Sequence, residues 1–244
     1  MAQNIYDTPA FFEGYSRLGR SVDGLAGAAE WPSLRALIPG LHGLRVVDLG
    51  CGFGWFCRWA AGQGAAQVLG LDVSENMLAR ARSATTEAAV SYVRADLDNL
   101  ALPDAGFDFA YSALALHYVE DIAGLLARLH RALVPGARVV FSVEHPIYMA
   151  PSAPGWLTDA AGRKTWPVDG YSVEGVRTTN WLADGVIKHH RSIGTWINTL
   201  LAQGFTISHV EEWAPTDAQI AARPELAEER ERPMFLLLAA QRSG

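Results

Sequence analysis

The sequence predicts an α/β fold: one doubly wound, mostly parallel seven-stranded sheet with helices on both of its faces. Three observations lead there. Apolar runs at 45–49, 67–71, 90–94, 107–111 and 137–143 alternate with helix-like segments at 54–63, 75–84 and 120–132. Strands that are apolar throughout need cover on both sides, and strand–helix alternation supplies it in a parallel sheet. The first run, Val46-Val47-Asp48-Leu49, empties into Gly50-Cys51-Gly52-Phe53-Gly54 and then an aromatic-rich helix. In such sheets ligands sit beyond the carboxyl ends of the strands, where this junction falls. Finally, the 244 residues are half hydrophobic and 19% charged, which suits one large, well-buried domain.

Residues 1–40 read as a helical cap ahead of the sheet. Phe11, Phe12, Tyr15 and Leu18 recur at helical spacing across 8–20, and Pro9 suits a first turn. A second helix is expected over about 31–38, stopped by Pro39-Gly40. After the five alternating strands, residues 146–190 break the rhythm with Pro146, Pro151, Pro154 and Pro167 and the aromatics Tyr148, Trp156, Trp166, Tyr171 and Trp181. A structureless stretch this long is uncommon in a compact domain and is usually functional. It is expected to be an insertion forming a lid or substrate pocket, with short strands around 156–166; its tryptophans either line that pocket or pin the loop to the sheet. His189 and His190 then open an amphipathic helix over 192–203, ended by Gly204. Strands are expected over 205–213 and 234–241, with Pro233 just outside the last. The mixed charges of 217–232 read as a solvated helix or loop. With no internal repeat and no second domain, 1–244 reads as one unit.

Charge and cysteine content exclude several classes. Acidic residues outnumber basic ones 26 to 20, and the basic residues form no dense run. That argues against a nucleic-acid partner, whose recognition rests on a basic stripe. No apolar run reaches the ~18 residues that a membrane helix needs, and the start, Met1-Ala2-Gln3-Asn4-Ile5-Tyr6-Asp7, lacks the regions of a signal peptide. A cytoplasmic location is the expectation. Cys51 and Cys57 are the only cysteines; their spacing is unlike a zinc site, and they read as two small buried thiols, with no metal expected.

The glycine run carries the chemistry. The dinucleotide fingerprint requires G-x-G-x-x-G, but here Trp55 holds the third glycine position and the spacing is G-x-G-x-G. With Asp48 two residues before Gly50, the run resembles motif I of class I S-adenosylmethionine-dependent methyltransferases. Further features fall in that family's order. Gly70-Leu71-Asp72-Val73-Ser74 ends a second strand in an acid 22 residues after Gly50, and Val93-Arg94-Ala95-Asp96-Leu97 ends a third in another. Phe107-Asp108-Phe109-Ala110-Tyr111-Ser112 with Ala115-Leu116-His117-Tyr118 looks like the fourth strand and its loop, and Leu133-Val134-Pro135-Gly136 like the turn into the fifth. The resemblance covers about residues 40–145 and points to the small-molecule, type 11-like branch, with a Rossmann-like sheet.

The resemblance implies S-adenosylmethionine as cofactor and S-adenosylhomocysteine as product. Amides around Gly50, Cys51, Gly52 and Gly54 would seat the amino-acid end, as helix N-termini seat anions, with Asp48 orienting the loop. Asp72, an acceptor when ionised, suits the ribose hydroxyls. Asp96 would accept from the adenine amino group, and Val73, Met77 and Leu97 would flank the base. Ser112 and His117 belong to the segment over the cofactor.

If the acceptor needs a base, histidine suits neutral pH. His117, His145, His189 and His190 are candidates, and His145 and His190 are the choices; His42, His130 and His209 look peripheral or packed. The stretch after strand four, Ser112-Ala113-Leu114-Ala115, lacks the Asn/Asp-Pro-Pro-aromatic loop of nucleic-acid amine methyltransferases and the paired glutamates of arginine methyltransferases. A small-molecule acceptor, partly apolar or aromatic, is expected, methylated on O, N or C, with no membrane partner. Two other readings stay open: a non-catalytic cofactor-binding relative and an NAD(P)-dependent oxidoreductase. Oligomeric state is not legible.

Overall fold

In the computed structural model, which describes residues 3–244, the apolar runs form one seven-stranded sheet. β1 (Arg45–Leu49), β2 (Gln67–Asp72), β3 (Val90–Arg94), β4 (Phe107–Ala113) and β5 (Leu133–Glu144) are parallel. β6 (Leu157–Thr158) with β7 (Lys164–Thr165), and β8 (Gly175–Trp181) with β9 (Ala183–His190), are two separate hairpins. β10 (Phe205–Glu212) and β11 (Phe235–Arg242) return to the sheet, whose order is β10-β11-β5-β4-β1-β2-β3 with β11 antiparallel to both neighbours. Strand order reverses beside β1, which pairs with β2 on one side and β4 on the other, so the crevice lies where β1 and β4 end.

Period-two side-chain alternation explains the two cores. Val46 is buried with Phe56, Cys57, Phe109 and Tyr111, while its neighbour Val47 is buried with Leu125, Leu129, Phe141 and Trp196. The first core is covered by α3 (Trp31–Leu37), α4 (Trp55–Gly62) and α5 (Glu75–Ser83), the second by α6 (Ile122–Ala132) and α8 (Ile193–Ala202). Local sequence sets where these helices start: the side chains of Ser74, Asp121 and Ser192 accept from the amides of Met77, Gly124 and Thr195, each such cap being worth about 1 kcal/mol. Leu125, Leu126 and Leu129 of α6 are fully buried; Leu126→Ala would cost about 2–5 kcal/mol.

The cap ahead of the sheet is α1 (Pro9–Ser16), α2 (Gly19–Val22) and α3, with Pro9 in the first turn as expected. It meets the second hairpin in a third apolar cluster, where Ile5, Phe11 and Val186 are buried against Tyr6, Tyr15, Tyr118 and Trp181. Gln3 ties the same two segments together through Gly185 O (2.8 Å) and Ile187 N (2.9 Å).

Three expectations need correction. The hairpin over 175–190 was not visible in the sequence, because β8 leaves alternate residues exposed and carries Arg, Thr and Asn. Its turn is made by Leu182 at φ 59 rather than by a glycine. His189 and His190 accordingly close β9 and do not open α8, which Ser192 caps. The 217–232 segment forms α9 (Asp217–Ala222) and a 3-10 turn over Pro224–Arg230, but it is not solvated throughout. Glu229 and Arg232 are buried and paired at 2.6 Å, and the Arg232 guanidinium lies over Tyr148, Trp156 and Trp166.

Candidate functional site

The glycine loop folds back onto the end of β2, where Gly50 N and Cys51 N both donate to Leu71 O at 2.8 Å. Its three glycines all have positive φ (79, 52 and 71°), a region costly for residues with a Cβ. Their surroundings differ. A Cβ at Gly50 would lie 2.2 Å from the Ala115 Cβ, and one at Gly54 would lie 2.1 Å from the Tyr92 hydroxyl oxygen. A Cβ at Gly52 would meet nothing within 4 Å. Gly50 and Gly54 are therefore glycine because protein packs against them, whereas Gly52 faces open space.

That space is a cavity of about 250 Å³ roofed by the cap and the second hairpin, and an adjoining one of about 90 Å³. Tyr15, Arg20, Gly50, Gly52 and Ala113 line both. Asp72 lines the larger, its carboxylate held by Gly52 N and Ser74 N, each at 2.9 Å. Burial raises its pKa. Val73, Met77, Leu97 and His117 line the same cavity. Asp48 and Cys51 line the smaller one. Asp48 is buried, accepts from the Cys57 thiol at 3.3 Å, and has its pKa pushed up by burial to about 7. Burial likewise pushes the Cys51 thiol up to about 11, so both cysteines are protonated and inert at neutral pH.

Other predicted positions lie outside the cavities. Gly54 starts α4 behind the loop. Ser112 is buried and donates to Leu49 O at 2.6 Å, bracing β1 against β4. Asp96 caps the turn that follows it, accepting from Asp98 N and Asn99 Nδ2. The two histidines chosen as bases also lie elsewhere. His145 is fully buried, its Nδ1 accepting from Ile147 N at 3.0 Å and its Nε2 facing Glu212 Oε1 at 3.0 Å. Both nitrogens are engaged in starting α7 (Pro146–Met149) and holding β10. His190 is fully buried with Nε2 at 2.8 Å from Tyr171 O. The expectation of a base at either position is corrected: packing, not the cavity, accounts for both.

His117 takes their place at the cavity wall. Burial, with Lys188 and Arg191 nearby, holds its pKa well below the usual histidine value, so it is neutral. Its Nδ1 accepts from Glu144 N at 3.4 Å; the remaining proton therefore sits on Nε2, making that nitrogen a donor. The other polar groups here are phenols. Tyr6, Tyr15, Tyr118 and Tyr148 line the cavity, and burial raises the pKa of each, that of Tyr148 to about 12. Tyr6 donates to the Tyr118 hydroxyl at 3.2 Å, leaving the Tyr118 proton free for another acceptor. Trp181 completes the wall, while Trp156 and Trp166 do not reach the cavity: they stack around Arg232, and Trp166 donates to Ile147 O. Among the described residues, Asp72 is the only carboxylate lining the larger cavity and Arg20 the only arginine or lysine.

Sequence reasoning missed Gln3, Tyr6, Arg20, Leu114 and Phe235 at this wall. None belongs to a motif. Leu114, at φ 54 just past β4, is a strained non-glycine residue beside a ligand space, where such strain tends to be kept.

The fold and site define a class: a doubly wound α/β protein with an enclosed, donor-lined cavity beyond the ends of β1 and β2, of the kind that holds an adenosyl cofactor. The residues fit that cofactor, with open space at Gly52 and an acceptor carboxylate at Asp72 flanked by apolar Val73, Met77 and Leu97. Residues 47–141 match the family model described as a methyltransferase domain. An S-adenosylmethionine-dependent methyltransferase from Mesorhizobium loti is 66% identical, with a TM-score of 0.87, over 90% of this chain and all of that one. A Haemophilus influenzae protein is 32% identical over 98% of this chain and 97% of its own length. A malonyl-[acyl-carrier protein] O-methyltransferase of Pectobacterium atrosepticum is 34% identical over 58% of this chain, which spans only 56% of that relative. The chain belongs to the class I S-adenosylmethionine-dependent methyltransferases and is an enzyme that uses S-adenosylmethionine. Among the described residues no helix is long and apolar enough to cross a membrane.

Proposed function

We propose that this enzyme methylates a carboxylate oxygen of a small-molecule acceptor held in the aromatic half of the larger cavity. One observation carries the reading: the acceptor half offers proton donors and no base. Its phenols stay protonated, its histidine is neutral with the proton left to Nε2, and Asp72, the single carboxylate among the described lining residues, accepts from the amides of Gly52 and Ser74. S-adenosylmethionine, when bound, supplies a methyl group already activated by a positive sulfur. A carboxylate is ionised at neutral pH without help, so alignment and exclusion of water suffice. Tyr118 and His117 would orient the anion, and the Lys188–Glu144 pair (2.5 Å) would stiffen the wall behind Tyr118 and Trp181. Residues 1–40 and 146–190 act as the lid. In the cofactor half, the amino-acid end lies against the backbone of Gly50, Cys51 and Gly52 near Asp48, although the amides expected to seat it already donate to Leu71 O and Asp72; Asp72 takes the ribose hydroxyls, and Val73, Met77 and Leu97 flank adenine. The likeness to a malonyl-[acyl-carrier protein] O-methyltransferase supports an oxygen acceptor.

The test uses S-adenosylmethionine labelled in the methyl group, with small carboxylic acids and with a metabolite extract. A carboxylate product is an ester, so mild alkali should release the label as volatile methanol. With cofactor saturating, kcat should also show no rise with pH between about pH 6 and 9 that follows a base in the acceptor half, any step near pH 7 in cofactor affinity belonging to Asp48. Label that survives alkali would mean a nitrogen, carbon or hydroxyl acceptor and would end this reading.

A further inference from the structure

Sequence motifs place the cofactor's amino-acid end only at backbone amides, yet the smaller cavity is charged. Among the described residues its charged lining is Arg20, Glu30 and Asp48. Arg20 lies at the junction, lining both cavities together with Gly50 and Gly52. Its Nη2 donates to Glu30 Oε1 at 2.8 Å and its guanidinium lies over the Phe235 ring, and among the described residues no other acceptor meets its side-chain N–H groups. A guanidinium carries five N–H donors in a fixed fork, so most of this one's capacity is unspent beside the glycine loop. Glu30 is 1% exposed, and its second oxygen, Oε2, is buried with no hydrogen-bond partner among the described residues. A buried carboxylate oxygen left unpaired carries a desolvation penalty, so this one needs a donor that the described residues do not supply.

The two unmet needs have opposite sign and border one small space, beside the ion pair the two side chains make with each other. We infer that Arg20 and Glu30 form the seat of the cofactor's zwitterionic end, Arg20 taking the carboxylate and Glu30 Oε2 the ammonium. The assignment rests on the reading of the larger cavity as the adenosyl site and extends it to residues outside every motif. It also gives the cap a purpose: Arg20 in α2 and Glu30 at the start of α3 bring both charges to the crevice, so the cofactor binds to cap and sheet together.

Titration calorimetry with two probes tests this. S-adenosylhomocysteine carries the amino-acid end; 5′-methylthioadenosine keeps the nucleoside and sulfur but lacks it. Arg20→Met should weaken S-adenosylhomocysteine by about 30-fold or more, the loss of charge-assisted bonds, while 5′-methylthioadenosine changes by less than about threefold. Arg20→Lys should recover part of the loss. Since Arg20→Met strands Glu30, the double variant Arg20→Met/Glu30→Gln removes both charges, and it should show the same selective loss with a native circular dichroism spectrum. An equal loss for both probes would make the pair structural, and unchanged S-adenosylhomocysteine affinity would place the zwitterion elsewhere; either overturns the inference alone. A wild-type protein that binds neither probe would overturn the adenosyl site and the inference with it.

Discussion

Gly52→Val isolates ligand space from folding, because the structure separates the roles of adjacent glycines. A Cβ at Gly52 meets no protein atom within 4 Å, so the fold suffers only from a branched residue at φ 52. Left-handed backbone costs an L-residue roughly 1–2 kcal/mol, which in a domain of this size lowers Tm by about 2–8 °C. The Val methyls, however, enter the space shared by both cavities and displace the cofactor from the loop. Losing even one charge-assisted hydrogen bond there is worth about 1.5–3 kcal/mol, so S-adenosylhomocysteine should bind at least about tenfold more weakly, and detectable binding is expected to vanish.

The control is Gly50→Ala. Its Cβ would sit 2.2 Å from the Ala115 Cβ, an overlap that only backbone movement relieves, so a larger fall in Tm is expected from the smaller side chain. Calorimetry and thermal melts on both variants decide the matter. If Gly52→Val binds S-adenosylhomocysteine as the wild type does, the loop is a structural turn. If Gly50→Ala is the more stable of the two, the packing argument fails.

Asp72→Ala should weaken both S-adenosylmethionine and S-adenosylhomocysteine by about 1.5–3 kcal/mol, from lost ribose contacts and from freeing Gly52 N and Ser74 N; unchanged affinity by calorimetry would remove it from the site. Asp48 gives a pH signature in the ligand-free protein. Its folded pKa, about 7, lies above the ordinary 3.8, so the folded state holds a proton the unfolded chain has released; that stability is full below the unfolded value and is lost as pH rises toward 7. Asp48→Asn removes the penalty, which is at most about 4 kcal/mol, and should raise Tm more at pH 8 than at pH 5. An equal rise at both would show that Asp48 is ionised throughout.

The sheet was legible because its signal is repetitive: five apolar runs with helices between them, ending within about four residues of the observed strands. The cavity wall beside the glycine loop was legible for a related reason. Gly50 and Gly52 follow β1, Asp72 ends β2, Val73 and Met77 flank the start of α5, and Leu97 opens the turn after β3, so local sequence fixes where they lie. Asp96 shows the limit of that logic: it has the right place after β3, yet its oxygens cap the next turn. The acceptor half was largely illegible. Tyr6, Arg20, Tyr148, Trp181 and Phe235 come from segments up to 229 positions apart in sequence, joined only by tertiary packing. His145 and His190 misled for the converse reason: one was read at a strand end and the other at a helix start, and both in fact stand at strand ends, where buried chain needs its amides and carbonyls satisfied and an imidazole does that well.

The division has a consequence for specificity. The cofactor half rests on β1, β2 and their turns, where Cβ overlap at Gly50 and Gly54 and the Asp72 bonds leave little freedom. The aromatic wall proposed to hold the acceptor hangs on the cap and the 175–190 hairpin, held to each other by Gln3 and by the cluster around Phe11 and Trp181, with the Tyr6–Tyr118 bond tying the cap to the turn after β4. Those contacts are side-chain contacts between exchangeable elements. On the proposed reading, replacing rings in the hairpin reshapes the acceptor space without moving the glycine loop. Arg20 and Glu30 are the exception that couples the halves. They belong to the cap by sequence but face the cofactor's end of the crevice, so a cap that changes its acceptor must still present both charges.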